Sequence, residues 1–200
     1  DLRDLRGVCY LLGKTEPLPE VAHEELPPYE VVAAEKPAFA RMTRQHQMHT
    51  SPFNGLTLFQ RHGDRTLVHN PPPNPLTSRE LDGSYDLPYT RKPHPAYGAK
   101  RIPAFEMIKD SVTIMRGCFG GCSFCSITSH EGKTVQSRSQ KSVLREVATI
   151  AAGEDFKGTI SDLGGPTANM YEMRCSDPEI EAKCRRLSCV HPHICSKLDT

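Results

Sequence analysis

The order of elements across residues 111–166 constrains the fold more than anything else in this chain. Ser111, Val112, Thr113, Ile114 and Met115 are short, apolar and partly β-branched, and predict a strand. Ser139 is a helix cap ahead of Val143, Leu144, Val147, Ala148, Ile150 and Ala151, whose spacing lines one helix face with apolar groups. Gly158, Thr159, Ile160, Ser161, Asp162 and Leu163 predict a second strand, ended by Gly164, Gly165 and Pro166. Strand, loop, helix, strand is a βαβ unit, and crossovers of this kind build parallel sheets and barrels. The expected fold class is α/β.

The first half reads differently. Residues 7–12 and 29–34 have the apolar content of short strands, and Glu35 to about Met48 reads as a helix with Pro37 in its first turn. Residues 56–60 and 66–69 predict a hairpin closed by His62, Gly63, Asp64 and Arg65. Thr77 or Ser78 caps a short helix to about Ser84. From 88 to 103 the chain is irregular and holds four prolines. That stretch reads as a connector, which divides the chain into an amino-terminal accessory region, 1–104, and a second region, 105–200. A chain that begins at Asp1 and stops at Thr200 without a terminating element is expected to be a piece of something longer.

Net charge is +1 with 24% charged residues, so bulk electrostatics give no reason to expect nucleic acid or an anionic membrane as partner. No apolar run approaches the roughly 18 residues of a membrane span, and no signal-peptide pattern is present.

Eight cysteines remain to be explained. Only Cys9 lies in the first 117 residues, and the other seven fall between 118 and 195. Disulfide frameworks spread their staples through a fold, whereas metal sites cluster ligands, so the pattern points to metal binding in a reducing cytosol. Cys118, Cys122 and Cys125 follow the first predicted strand of the βαβ unit, at the carboxyl end where parallel α/β folds place their chemistry. Three thiolates can hold three irons of a cubane [4Fe–4S] cluster and leave the fourth open to a substrate or cofactor. Gly117, Gly120 and Gly121 let the backbone curl tightly around such a group. A zinc site would take His130 as fourth ligand. A thiol–disulfide pair would need only Cys122 and Cys125. The bacterial ferredoxin spacing is absent. An electron carrier or a zinc-stabilised binding module is the non-enzymatic alternative.

Cys175, Cys184, Cys189 and Cys195 form a second group. Four thiols this close suit a second metal site, with His191 and His193 as further donors, or else they are small buried hydrophobes. Cys9 reads as a strand core residue, and Arg138 as a solvated neighbour of the helix cap or, as the alternative, a residue with a role near a bound cofactor. His130 and Glu131 read as loop hydrogen-bonders. His46, His49, His62 and His69 support no ligand set.

The run Arg116-Gly117-Cys118-Phe119-Gly120-Gly121-Cys122-Ser123-Phe124-Cys125-Ser126-Ile127-Thr128 resembles the cysteine signature of the radical S-adenosylmethionine (SAM) superfamily. With His130-Glu131-Gly132 and the stretch 161–171 it resembles the YgiQ family of that superfamily, and Arg61-His62-Gly63, Asn70-Pro71-Pro72 and Leu87-Pro88-Tyr89 resemble that family's amino-terminal region. The resemblance implies the start of a partial (β/α) barrel, with Cys118, Cys122 and Cys125 on three irons and SAM on the fourth. It implies that Phe124 lies along the adenine, and that backbone carbonyls of Gly164 and Gly165 accept from the methionine amino group. Pro166 departs from the acidic residue often found there. A 5′-deoxyadenosyl radical would abstract hydrogen from a substrate that the sequence does not identify, and catalytic side chains are not identified either. An electron donor such as flavodoxin or ferredoxin is implied, in the cytoplasm, with no membrane partner. Methylthiolation of tRNA or ribosomal protein is the neighbouring reaction within the enzyme class. Exposed barrel edges should make the isolated piece poorly soluble.

Overall fold

The computed structural model describes residues 1–200. In chain order its elements are β1 (Cys9–Leu12), β2 (His23–Glu25), α1 (Tyr29–Ala34), α2 (Lys36–Met48), β3 (Thr57–His62), β4 (Arg65–His69), α3 (Ser78–Tyr85), α4 (Pro103–Ile108), β5 (Ser111–Thr113), β6 (Met115–Arg116), α5 (Ile127–His130), β7 (Gln136–Ser137), α6 (Gln140–Ala151), β8 (Asp162–Gly164), β9 (Arg174–Cys175), α7 (Pro178–Lys183) and β10 (Leu198–Asp199). The fold is mixed α/β. It falls into two compact units. One takes residues 1–75, 118–134 and 174–199; the other takes 76–117 and 135–173, with Thr200.

The first unit is built on a four-stranded sheet in the order β1-β4-β3-β2. β4 runs antiparallel to both β1 and β3, and β2 runs parallel to β3. Only Gly63 and Asp64 join β3 to β4, and Gly63 takes φ +59°, as a two-residue hairpin turn asks of its first position. Leu12, Phe59 and Val68 form the buried cluster, with Tyr10 against it. Cys9 is exposed at the start of β1, not a core residue, because the buried position of this short strand falls at Leu12.

Residues 29–34 are helix, not strand. Pro28 accepts from the N–H of Val32 at 3.0 Å and Val31 accepts from that of Glu35 at 2.9 Å, both helical bonds. Short apolar runs fit either state, and α1 buries no residue that would have marked it as a core strand.

The second unit contains the expected βαβ arrangement. β5 and β8 pair in parallel, Ser111 with Asp162, Val112 with Leu163 and Thr113 with Gly164. α6 lies between them in sequence, its cap formed by the Ser139 hydroxyl accepting from the Ser142 N–H at 3.1 Å. β8 begins four residues later than the sequence suggests, since Gly158 takes φ +87° and pairing starts only at Asp162. α3 starts in a complete capping box, Thr77 with Glu80.

Arg138 is not solvated. It is 1% exposed, and its guanidinium donates to the Thr113 carbonyl at 2.8 Å, to the Ser142 hydroxyl at 2.9 Å and to the Glu146 carboxylate. It also lies 4.1 Å from the centre of the Tyr85 ring. Its sequence position beside a cap gives no hint that β5, α6 and α3 converge on it.

Candidate metal centre

The cysteine loop belongs to the first unit. Cys118 is buried, and its N–H donates to the Gly132 carbonyl at 3.0 Å while its own carbonyl accepts from the Thr128 hydroxyl at 2.9 Å. These bonds close the loop on itself across α5. Two backbone N–H groups point at sulfur: Gly120 toward Cys118 Sγ at 3.3 Å, and Ile127 toward Cys125 Sγ at 3.5 Å. Donors so placed would offset the negative charge of a bound cluster. A Cβ at Gly120 would sit 3.3 Å from Cys118 Sγ and 3.8 Å from Cys122 Sγ, so the missing side chain leaves room between two candidate ligands.

Gly121 is required for a second reason. It takes φ +62°, and a Cβ there would lie 2.3 Å from the Leu187 carbonyl oxygen. The backbone around Leu187 crosses directly over the loop, and the Cys189 N–H donates to the Phe119 carbonyl at 3.0 Å. Phe124 is 91% exposed, an aromatic face packed on nothing beside the thiols.

No three of the chain's His, Cys, Asp and Glu side chains are gathered as ligands of one ion, His130 included. A cubane distributes its three cysteines over three separate irons, and the three thiols of the loop match that donor set. A cleft of about 20 Å³ opens beside the loop, lined by Cys122, Cys125, Gly121, Leu187, Gln47 and Thr50 among others. That volume suits one water; a cluster or SAM requires the cleft to widen. Gln47 and the adjoining Thr50 come from the end of α2, about 70 residues before the loop, and no local sequence signal marks them.

Gly164 and Gly165 lie in the second unit, at the end of β8. The Gly164 carbonyl accepts from the Ile114 N–H at 2.8 Å, which uses one of its two lone pairs. A Cβ on Gly165 would meet the side chain of buried Met115 at 2.6 Å, so close packing favours glycine there whatever the site does.

All eight cysteines are free. Cys184 is the carboxyl cap of α7, and Cys175 sits on β9 opposite Leu198 of β10. The Lys133 ammonium approaches Cys184 Sγ at 3.7 Å. His130 is exposed at the end of α5. His49, assigned no role from sequence, is 4% exposed. Its Nδ1 accepts from the Leu56 N–H at 3.0 Å, so Nε2 carries the proton and donates to Glu24 Oε2 at 2.6 Å. That hydrogen bond, with one from Gln45, holds the Glu24 carboxyl below the usual range. The arrangement braces α2 against β2. A larger cavity of about 420 Å³ lies near the amino terminus. Three of its polar lining residues are already engaged: Arg6 donates to the Pro72 carbonyl, Arg3 pairs with Glu16, and Asn70 donates to the Arg3 and Leu5 carbonyls.

No solved structure matches the chain. It is 58% identical over 176 residues to a UPF0313 protein of Bradyrhizobium diazoefficiens, which covers 88% of this chain and 26% of that protein. It is 57% identical over the same length to a UPF0313 protein of Rhodopseudomonas palustris. The UPF0313 protein YgiQ of Escherichia coli is 54% identical, with 88% of this chain and 24% of the relative covered. The chain thus spans about a quarter of the length of these relatives. The family model described as Radical SAM N-terminal matches residues 1–111. The chain belongs to that radical SAM family, with YgiQ and other UPF0313 proteins among its relatives.

Proposed function

We propose that this chain carries the cluster-binding part of a radical SAM enzyme, with Cys118, Cys122 and Cys125 as the three ligands of a [4Fe–4S] cluster. The observation that carries this reading is the cysteine loop, where backbone N–H groups face two of the sulfurs and a glycine leaves space between two of them. When bound, such a cluster supplies an electron to the SAM sulfonium, and cleavage there yields a 5′-deoxyadenosyl radical. The protein's own part is to hold and shield. The N–H groups of Gly120 and Ile127 offset thiolate charge, exposed Phe124 offers a face for adenine, and the backbone around Leu187 covers one side of the loop. The second lone pair of the Gly164 carbonyl and the carbonyl of Gly165 are assigned the methionine amino group on family resemblance. Residues 1–104 act as the accessory region, and 105–200 open a partial (β/α) barrel. Free thiols and a cluster of this kind suit a reducing compartment, the cytoplasm, with a flavodoxin or ferredoxin as electron donor.

The test is anaerobic reconstitution of the intact protein, followed by SAM and dithionite. The expected product is 5′-deoxyadenosine, and Cys118→Ala, Cys122→Ala or Cys125→Ala should each remove it along with the iron. A cluster whose EPR spectrum ignores SAM would make the protein an electron carrier instead. Zinc in place of iron would make it a binding module.

A further inference from the structure

Residues 175–198 concentrate four thiols that the cluster loop does not use. Cys184 caps α7. The Cys195 N–H donates to the Cys189 carbonyl at 2.8 Å, which folds the chain between them into a tight loop. The Leu198 N–H donates to the Cys195 carbonyl at 3.0 Å, and Leu198 faces Cys175 across the β9–β10 pair. Cys189 stands within electrostatic reach of Cys184, Cys195, Lys133 and Arg186. The fold therefore gathers into one corner cysteines that are 20 positions apart at the extremes.

Two basic groups are held there by main chain. Lys133 donates to the Arg186 carbonyl and approaches Cys184 Sγ at 3.7 Å, while Arg186 donates to the His193 carbonyl at 2.6 Å. Cations anchored beside neutral thiols gain little. Beside a four-thiolate centre they offset its negative charge. We propose that Cys175, Cys184, Cys189 and Cys195 form a second, closed thiolate metal centre that pins residues 187–189 onto the cysteine loop. The sulfurs are not yet gathered about one point. Each cysteine turns on a single side-chain torsion with three staggered wells, so closure can come from rotamer changes on a backbone already in place. Binding releases the thiol protons to solvent.

A zinc ion and a closed iron–sulfur cluster share this donor set. The centre goes beyond the radical reading and does not depend on it. The experiment uses the intact protein with Cys118, Cys122 and Cys125 all changed to Ala, purified without oxygen and assayed for metal and acid-labile sulfide. One zinc per chain without sulfide supports an ion. Four irons with four sulfides support a cluster. Either must disappear when Cys189→Ser and Cys195→Ser are added. Absence of stoichiometric metal, with every remaining thiol reactive toward a thiol reagent in the native state, overturns the proposal. If the triple-alanine chain does not fold, metal is compared between the reconstituted parent and its Cys184→Ser/Cys195→Ser variant. Equal metal content would then overturn it. Failure of deoxyadenosine formation in the parent would leave this result untouched.

Discussion

At the scale of single residues, Gly121 and Gly63 separate two effects that glycine can have. Both take positive φ, but a Cβ at Gly63 meets nothing within 4 Å, while one at Gly121 meets the Leu187 carbonyl at 2.3 Å. Gly63→Ala should therefore cost only backbone strain, about 1 kcal/mol. Gly121→Ala adds a collision with main chain and should cost about 3 kcal/mol, and under the proposed cluster function it should also lower iron uptake. Urea midpoints and iron content check both, and equal losses would refute the close approach. Glu24 supplies a pH prediction. Its carboxyl is held low by the hydrogen bond from His49 and then by that from Gln45. A carboxyl whose folded pKa is depressed contributes stability above its unfolded pKa and loses it as pH falls through the folded value. Glu24→Gln should thus destabilise at neutral pH and flatten the stability profile on the acid side of the ordinary glutamate range. An unchanged acid limb in urea melts from pH 7 to pH 3 would show that the His49 contact contributes nothing.

At the scale of elements, α6 and the β5–β8 pair show how a pattern and its anchoring differ. The apolar stripe of α6 and its Ser139 cap are local, and the helix forms where that pattern puts it. What fixes it to β5 is Arg138, which reaches Thr113 on the strand, Ser142 and Glu146 on the helix, and the ring of Tyr85 on α3. Removing a buried, paired cation leaves Glu146 with Arg91 alone. Arg138→Met should cost about 3 kcal/mol, since breaking a buried pair from one side leaves polar groups unsatisfied. Thermal melts would check it, and a loss near that of an exposed arginine would contradict the buried network. α1 is the contrary case. Its six residues fit a strand as well as a helix by composition, and the bonds to the Pro28 and Val31 carbonyls decide the matter.

At the scale of the whole molecule, the second unit has more apolar surface than it covers. Leu144 on α6 is 65% exposed and Leu163 on β8 is 52% exposed, with Met107 and Ile108 of α4 bare as well. β5 and β8 are a parallel pair with no further strand on either side. Parallel strands are ordinarily buried on both faces, and open edges invite pairing with other chains. The 200-residue chain by itself should therefore self-associate, and Leu144→Lys with Leu163→Lys should raise its soluble fraction. Static light scattering would test this; a monodisperse parent chain at tens of micromolar would refute it.

Sequence alone determined the features that depend on neighbours along the chain. These are the β3–β4 hairpin with Gly63 in its turn, the caps at Thr77 and Ser139, the βαβ order, and the three-cysteine loop with its glycines. Each follows from short-range backbone sterics, hydrogen bonding or residue spacing, which a few consecutive residues suffice to specify. Only the tertiary structure decided which distant segments meet: Gln47 at the thiol cleft, Leu187 over Gly121, His49 against Glu24, and Arg138 in the interior. Those contacts come from burial and from pairing polar groups across long sequence separations, and no local pattern encodes the partner.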